Sequence, residues 1–133
     1  MIVKNCTLIK PLKCSLNSSI ADVARILKKE KQRRIIVIDE NEYPVGIIST
    51  TDMSNSVVAE NRDASKLTAN EIMTTPVYLV CDMEDDLNEI FRKMVHHETF
   101  FVPVTQNGKL HGILTYGELL KHAQEQSKKP SKK

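Results

Sequence analysis

The 133-residue chain is short of several residue types that mark specialised proteins. It has no tryptophan, only four glycines, and an aromatic content of 5%. Its three cysteines, Cys6, Cys14 and Cys81, form no CxxC spacing, so neither a disulfide framework nor a zinc site is expected. No apolar run approaches membrane-spanning length, and the first residues lack the charged-then-apolar pattern of a signal peptide. These absences favour a cytoplasmic protein with reduced thiols and no membrane partner.

The chain also lacks a strong excess of charge and any established catalytic motif. The formal net charge is +2, and four lysines lie in the last six residues, so the remainder is near neutral and nucleic acid is not expected as a partner. His96 and His97 are adjacent and point in different directions on a helix, so no metal ligands are expected there. GxSxG, Walker, HExxH and GxGxxG patterns are absent, and the chain is not expected to be an enzyme.

Two seven-residue stretches repeat one pattern. GIISTTD occupies residues 46–52 and GILTYGE occupies residues 112–118, each with a glycine, two aliphatics, a hydroxyl residue, two variable residues and an acid. Ahead of each glycine, apolar residues recur at helical spacing. They are Ile20, Val23, Ala24 and Leu27 in the first half, and Leu87, Ile90, Phe91 and Met94 in the second. The chain therefore contains an internal duplication.

Each half predicts the order strand–helix–strand–strand–helix, which gives an α/β fold. Ser18 or Ser19 is expected to cap the first helix, and Asp85 or Asp86 the second. Asn107-Gly108 indicates a hairpin turn. The first strand of each half is predicted within the apolar segments 7–16 and 74–83. The other predicted strands are 35–38, 45–49, 101–104 and 110–115, and the later helices are 53–59 and 119–124.

The predicted division of the chain follows from this duplication. A first repeat covers residues 1–60, a polar linker with a short amphipathic piece covers 61–75, and a second repeat covers 76–126. Residues 127–133 form a basic tail that is expected to be disordered. Neither half alone would bury much core, so the two are expected to fold together.

The recurring hydroxyl and acid have a structural explanation as well as a functional one. Ser49 and Asp52, like Thr115 and Glu118, stand three residues apart at a strand-to-helix junction, which is the spacing of a capping box. Capping alone explains either pair about as well as ligand binding does.

The paired pattern resembles the cystathionine β-synthase (CBS) domain, which usually occurs as a tandem pair. The resemblance rests on the opening segment EIMTTPVYLV, the strands RIIVID and FVPVT, and the two glycine motifs, and it covers residues 8–123. It implies two repeats packed sheet to sheet about a pseudo-twofold axis, with clefts that bind AMP, ADP, ATP, S-adenosylmethionine or a related compound such as methylthioadenosine. It also implies a homodimer, with contact faces expected on the helices at residues 20–27 and 87–94.

The resemblance assigns a role to both members of each motif pair. By position, the acids Asp52 and Glu118 would hydrogen-bond the ribose hydroxyls, and Ser49 and Thr115 would face the phosphate or the ribose. A carboxylate can accept hydrogen bonds from two vicinal hydroxyls, and such charged bonds are stronger than neutral ones.

Basic and aliphatic residues beside the first motif extend this implied site. Arg33 and Arg34 would meet phosphate, for which guanidinium groups are well suited; a solvated helix end is an equally good explanation of these cations. Ile35, Ile47 and Ile48 would line the adenine face, although most such side chains serve the core.

The two halves differ at this implied site. The second half has Glu118 in place of an aspartate, and Phe100 and Phe101 where the first half has arginines. The second cleft is therefore expected to be weak or empty, or to take an uncharged adenosine compound.

The sequence thus predicts a stand-alone CBS-domain pair that senses adenosine nucleotides, or S-adenosyl compounds, and signals adenylate status to an unidentified regulated protein. Two alternatives remain open: a structural or dimerisation module without a physiological ligand, and a nucleic-acid-associated regulator that uses the arginine pair and the lysine tail.

Overall fold

The computed structural model describes residues 1–128 and confirms the repeated element order. A 3-10 turn (Val3–Asn5) is followed by β1 (Lys13–Ser15), α1 (Ile20–Glu30), β2 (Arg34–Ile38), β3 (Pro44–Ser49) and α2 (Thr50–Met53), which continues as a π-helical turn (Ser54–Val58). After α3 (Ala69–Ile72) come β4 (Cys81–Asp82), α4 (Leu87–His97), β5 (Phe101–Gln106), β6 (Lys109–Thr115) and α5 (Tyr116–Lys128). Among residues 1–128, every helix is too short or too polar to cross a membrane.

Each repeat contains one three-stranded sheet. The strand orders are β1-β2-β3 and β4-β5-β6. β1 runs parallel to β2, and β4 runs parallel to β5, so α1 and α4 are the crossover helices that a parallel pair requires. β2 and β3 pair antiparallel. The predicted fold class, a mixed α/β chain of two such repeats, is confirmed.

The two crossover helices begin and end in the same way. The Asp22 amide donates to the Ser19 hydroxyl at 3.1 Å, and the Glu89 amide donates to the Asp86 carboxylate at 3.1 Å, so the second candidate of each predicted pair is the N-cap. The C-cap residues, Lys31 after α1 and Glu98 after α4, are both in the left-handed conformation. The duplicated sequence therefore encodes duplicated helix boundaries.

Two compact units share the chain, and they do not coincide with its halves. The first-sheet unit comprises Pro11–Tyr78 with Asn107–Leu110, and the second-sheet unit comprises Met1–Lys10, Leu79–Gln106 and the chain from His111. The first ten residues thus belong with the second sheet. Each unit core is centred on apolar residues from the crossover helix and the central strand. They include Ile20, Val23, Ile35 and Val37 in the first unit, and Ile90, Met94, Val102 and Val104 in the second.

The predicted linker and the start of the predicted tail both contain helix. Within residues 61–75, α3 forms from the amphipathic piece. Its residues Ala69 and Ile72, and Leu67 just before it, are buried in the core of the first-sheet unit. Val3, at the other end of the chain, is fully buried in the second-sheet unit. α5 extends to Lys128, two residues into the predicted tail, and residues 129–133 lie outside the described residues.

Each motif glycine lets another segment of the chain pack closely against its strand, β3 or β6. Ile47 of β3 exchanges backbone hydrogen bonds with Thr74, and Ile113 of β6 does so with Ile9. A Cβ atom at Gly46 would lie 2.9 Å from Met73 Cγ, and one at Gly112 would lie 2.8 Å from a Leu8 carbon. The repeated glycine is therefore a close-approach position, because any side chain there would overlap the segment alongside.

Candidate functional site

Ser49 and Asp52 form a reciprocal capping box at the end of β3. The Asp52 amide donates to Ser49 Oγ at 3.1 Å, and the Ser49 amide donates to Asp52 Oδ2 at 2.8 Å. Both residues are half-buried. The helix begins at Thr50 instead of following the acid, since Ser49 occupies the N-cap and Asp52 the third helical position. The structural explanation of this pair is thus correct, and it leaves Asp52 Oδ1 without a hydrogen bond among the described residues.

The arginine pair lies at the same end of this sheet. Arg34 is directly opposite Ser49 in the antiparallel ladder, and the Arg33 carbonyl accepts from the Thr50 amide at 2.9 Å. Both arginines are exposed. Because α1 ends at Glu30 and β2 begins at Arg34, with Arg33 just before it, the pair lies at the start of the strand and is not part of the helix end. The first-sheet unit therefore collects two permanent cations, a hydroxyl and a carboxylate at one strand end.

The three isoleucines divide between two faces of the sheet. Ile35 and Ile48 pair across the ladder and are both fully buried in the core, where they pack with α1 residues. Ile47 is half-buried and lies on the other face, which it shares with Ser49 because side chains alternate along a strand. Of the three isoleucines, Ile47 is therefore the one on the same face of the sheet as the Ser49 hydroxyl.

The second repeat reproduces the backbone of this arrangement. The Glu118 amide donates to Thr115 Oγ1 at 3.2 Å, and the Tyr116 amide donates to the Phe100 carbonyl at 2.8 Å. Phe100 is 72% exposed and contacts the Tyr116 ring edge to face. An aromatic side chain thus stands at the position equivalent to Arg33.

The carboxylate of Glu118 has different partners from that of Asp52. The Thr7 amide donates to Glu118 Oε2 at 2.8 Å, and His122 Nε2 lies 2.9 Å from the same oxygen. Burial raises the pKa of Glu118, but the hydrogen bonds from Thr7 and His122 and the positive charges of His122 and Lys121 outweigh it and leave the pKa below its ordinary value. The longer glutamate side chain therefore binds the opening segment of the chain.

Cys6 joins these residues in the second-sheet unit. The ligand atoms of Cys6, Glu118 and His122 all lie within 4.8 Å of one another. Sequence reasoning missed Cys6, Thr7 and His122, because no spacing pattern connects the start of the chain with α5. The signal available was the duplication, which pairs the segment around Thr7 with the segment around Thr74.

The remaining two cysteines are packing residues. Cys14 lies in β1 and Cys81 lies in β4, and both side chains are buried. Burial raises the pKa of Cys14 to about 11, and burial together with the charges of nearby acidic groups raises the pKa of Cys81 to about 12. Both thiols are therefore protonated at neutral pH and are poor nucleophiles.

The fold and this site define a tandem-repeat α/β protein with a hydroxyl–acid cap at the end of a strand in each repeat. The chain belongs to the CBS domain family, which it matches twice, at residues 3–59 and 69–125. CBS domain pairs are regulatory modules.

One curated relative is similar to most of this chain. The chain is 27% identical over 107 residues to Uncharacterized protein MK0525 of Methanopyrus kandleri, a match that covers 80% of this chain and 54% of the relative. The chain thus spans about half the length of that protein.

Solved structures of CBS proteins match nearly the whole chain. The CBS domain pair of protein MJ0100, in complex with 5′-methylthioadenosine and S-adenosyl-L-methionine, is 26% identical with a TM-score of 0.71, over 95% of this chain and 98% of that one. CBS domain protein PAE2072 from Pyrobaculum aerophilum, complexed with AMP, is 22% identical with a TM-score of 0.72, over 93% and 99% of the two chains.

Proposed function

We propose that this CBS-domain pair is a regulatory module that binds an adenosine nucleotide, or an S-adenosyl or methylthioadenosine compound, and acts on another protein. The site is the strand end that carries Ser49, Asp52, Arg33 and Arg34. The observation that carries the proposal is the register that puts Arg34 directly opposite Ser49. A nucleotide needs a cation for its phosphate and an acceptor for its ribose, and both are available within this one unit.

Asp52 supplies the acceptor for the ribose. Its Oδ2 atom is used by the Ser49 amide, so the carboxylate is held in one orientation by the backbone. Oδ1 accepts the ribose hydroxyls. A carboxylate fixed in advance loses little conformational freedom when the ligand arrives, which favours affinity.

The second repeat contributes a weaker site or none. Glu118 already accepts from Thr7 and contacts His122, so ribose binding there would require those interactions to be given up. Phe100 offers no charge to a phosphate. Thr115 and Glu118 therefore belong to the structural cap of this repeat, and any ligand there is an uncharged adenosine compound.

Two relatives support the ligand class. One CBS pair of similar fold was solved with S-adenosyl-L-methionine and methylthioadenosine, and another with AMP. The arginine pair favours a phosphorylated ligand, AMP, ADP or ATP, for the first repeat of this chain. A permanent guanidinium charge has no phosphate to bind in a thioether ligand.

A panel of ligands tests the proposal by thermal shift and calorimetry. We expect AMP, ADP or ATP to raise the melting temperature, and deoxyadenosine, which lacks the 2′-hydroxyl and the phosphate, to have little effect. At about a hundredfold excess over Kd, a ligand stabilises the native state by about 2.7 kcal/mol. If no adenosine compound stabilises the protein at millimolar concentration, the structural or dimerisation module becomes the better proposal.

The proposal also includes an oligomeric state and a way in which ligand binding affects another protein. The module acts as a cytoplasmic homodimer without catalytic activity of its own, and ligand binding favours one conformation of the pair, to which the regulated protein responds. A nucleic-acid role would instead give binding that falls steeply with salt concentration, because phosphate contacts release counterions.

A further inference from the structure

Three metal-ligating side chains from the two ends of the chain meet in the second-sheet unit. Cys6 follows the 3-10 turn at the start, and Glu118 and His122 belong to α5. The thiol sulfur, a carboxylate oxygen and an imidazole nitrogen lie within 4.8 Å of one another. We propose that Cys6, Glu118 and His122 bind one Zn²⁺ ion, or another divalent ion of similar ligand preference.

The backbone around these residues holds them together. Glu118 and His122 are four residues apart in α5 and therefore share a helix face. The hydrogen bond from the Thr7 amide to Glu118 Oε2 fixes the residue next to Cys6 against this helix. Ile9 further pairs with Ile113 of β6. The elements that carry the three ligands are thus anchored by contacts that need no metal.

All three ligands are partly shielded from water. The side chain of Glu118 is 12% exposed and that of His122 is 14% exposed, and Cys6 is half-buried. A divalent cation placed among them would neutralise the partly buried carboxylate and the thiolate together, which offsets the cost of removing these charges from water. The partial exposure of Cys6 leaves a path by which the ion can enter.

The donor set selects the metal. One sulfur, one nitrogen and one oxygen suit Zn²⁺, whereas Ca²⁺ and Mg²⁺ prefer oxygen ligands alone. Zinc–ligand bonds of about 2.0–2.3 Å imply separations of about 3.5 Å between ligands in a tetrahedral site. All three separations are within 4.8 Å, so a tetrahedral arrangement requires shifts of no more than about 1.3 Å in any of them. On binding, the Cys6 thiol loses its proton to solvent and the sulfur becomes a thiolate ligand.

Three protein ligands leave the fourth tetrahedral position to water. The main effect of the ion is to bind the opening segment of the chain to α5. Because a metal that binds only the native state stabilises it, Zn²⁺ is expected to raise the melting temperature.

Titration of the full chain with Co²⁺, a spectroscopic substitute for Zn²⁺, tests the site. We expect one equivalent to bind with a thiolate-to-cobalt charge-transfer band, and excess Zn²⁺ to abolish the band. Cys6→Ser removes the band, and the matched control Cys14→Ser keeps it. His122→Ala weakens the affinity by at least about tenfold, because even the loss of a residue that only supports a metal ligand has an effect of that size. His111→Ala, at an exposed position, leaves the affinity unchanged.

A second measurement needs no substitution and so does not depend on how a variant folds. In the unaltered protein, Zn²⁺ should protect Cys6 from alkylation by iodoacetamide and leave the rate at Cys14 unchanged, as read by peptide mass spectrometry. The proposal is overturned if the native chain gives no charge-transfer band, if the band survives in Cys6→Ser, or if Zn²⁺ leaves Cys6 alkylation unchanged. These outcomes are independent of nucleotide binding, since Asp52 belongs to the first-sheet unit.

Discussion

One methylene group separates the two motif acids and changes what each of them contacts. Asp52 returns its carboxylate to the amide of Ser49, three residues earlier. Glu118 occupies the same helical position but reaches the Thr7 amide and His122. The shorter side chain keeps a carboxylate oxygen available at its strand end, whereas the longer one uses its charge to hold another part of the chain.

Asp52→Ala should weaken binding of AMP or ATP by about ten- to a hundredfold, as measured by calorimetry. Loss of one partner from a charge-assisted hydrogen bond costs about 1.5–3 kcal/mol, which corresponds to that change in affinity. Glu118→Ala should leave the affinity within a few-fold of the unaltered protein. The reverse pattern would assign the ligand to the second repeat.

Loss of the helix cap could imitate loss of binding in this variant, and α3 provides a matched control. Glu71 accepts from the Thr68 amide at 3.1 Å in the same kind of capping box and in the same unit as Asp52. Glu71→Ala should lower the melting temperature of the free protein by an amount similar to Asp52→Ala, with affinity unchanged. Equal losses of affinity in both would show that Asp52 acts through folding alone.

The buried thiol of Cys14 predicts a stability loss at alkaline pH. Its pKa in the folded protein is about 11, above its ordinary value near 9. The neutral thiol therefore contributes fully below pH 9, and this contribution is lost as the pH rises towards 11. Urea unfolding should show that the native protein loses more stability between pH 8 and pH 10.5 than Cys14→Ala does. Parallel pH profiles of the two proteins would contradict the raised pKa.

At the scale of elements, the glycine that recurs in both motifs is explained by the segment that pairs with each edge strand. Gly46 and Gly112 are not turn residues; they lie within β3 and β6. Each faces a side chain of the segment that runs alongside, Met73 in one case and Leu8 in the other. A sheet of three strands thus acquires a short fourth partner at its edge in each unit, which protects that edge from other pairing.

Gly112→Ala should destabilise the protein by about 1–3 kcal/mol, the usual cost of adding volume to a well-packed region. The added Cβ would approach Leu8 to 2.8 Å, and the paired backbone there limits how far Leu8 can move. Gly117→Ala in α5 is the matched control, because its nearest neighbour would be 3.9 Å away and alanine favours helix. Urea unfolding would contradict this if the two variants were equally stable.

Local signals in the sequence predict the elements well. The apolar periodicity of α1 and α4, the caps Ser19 and Asp86, and the Asn107-Gly108 turn all correspond to the structure, since each depends on residues close in sequence. The strand ends are also within two residues of their predicted positions.

Contacts between distant residues could not be predicted in this way. The hydrogen bond from Thr7 to Glu118 joins residues 111 positions apart, and nothing in the local pattern distinguishes it from the capping box that the acid was expected to form. The burial of Ile35 could not be predicted from the local sequence either. Both faces of β2 are apolar in sequence, and only the register and the position of α1 show that Ile35 and Ile48 face the core.

At the scale of the whole molecule, the apolar side chains that remain exposed indicate where a partner could bind. The apolar residues of α1 and α4 are buried in their own units, for example Val23 and Met94. Large apolar side chains that are more than half exposed include Val58, Val95 and Phe100. A partner that covers such side chains would gain free energy from removing them from water.

We expect a homodimer at micromolar concentration, with α4 in the contact. Light scattering coupled to gel filtration should give twice the 15.1 kDa chain mass. Val95→Glu, which places a charge on α4, should shift the mass towards the monomer, and Val58→Glu, which lies outside α1 and α4, should not. A monomer mass for the unaltered protein would count against the dimer, and a dimer that tolerates Val95→Glu would exclude this face of α4.

The allocation of Met1–Lys10 to the second-sheet unit has a consequence for how the chain can be divided. A cut after residue 60 follows the duplication but separates Val3 from the core that buries it, and separates α3 from the first-sheet unit. Each fragment would then carry a peptide that belongs to the other and expose the apolar surface that this peptide covers. Expressed singly, the fragments should aggregate; expressed together, they should reassociate. The boundaries of the sequence repeats therefore differ from the boundaries of the units that fold.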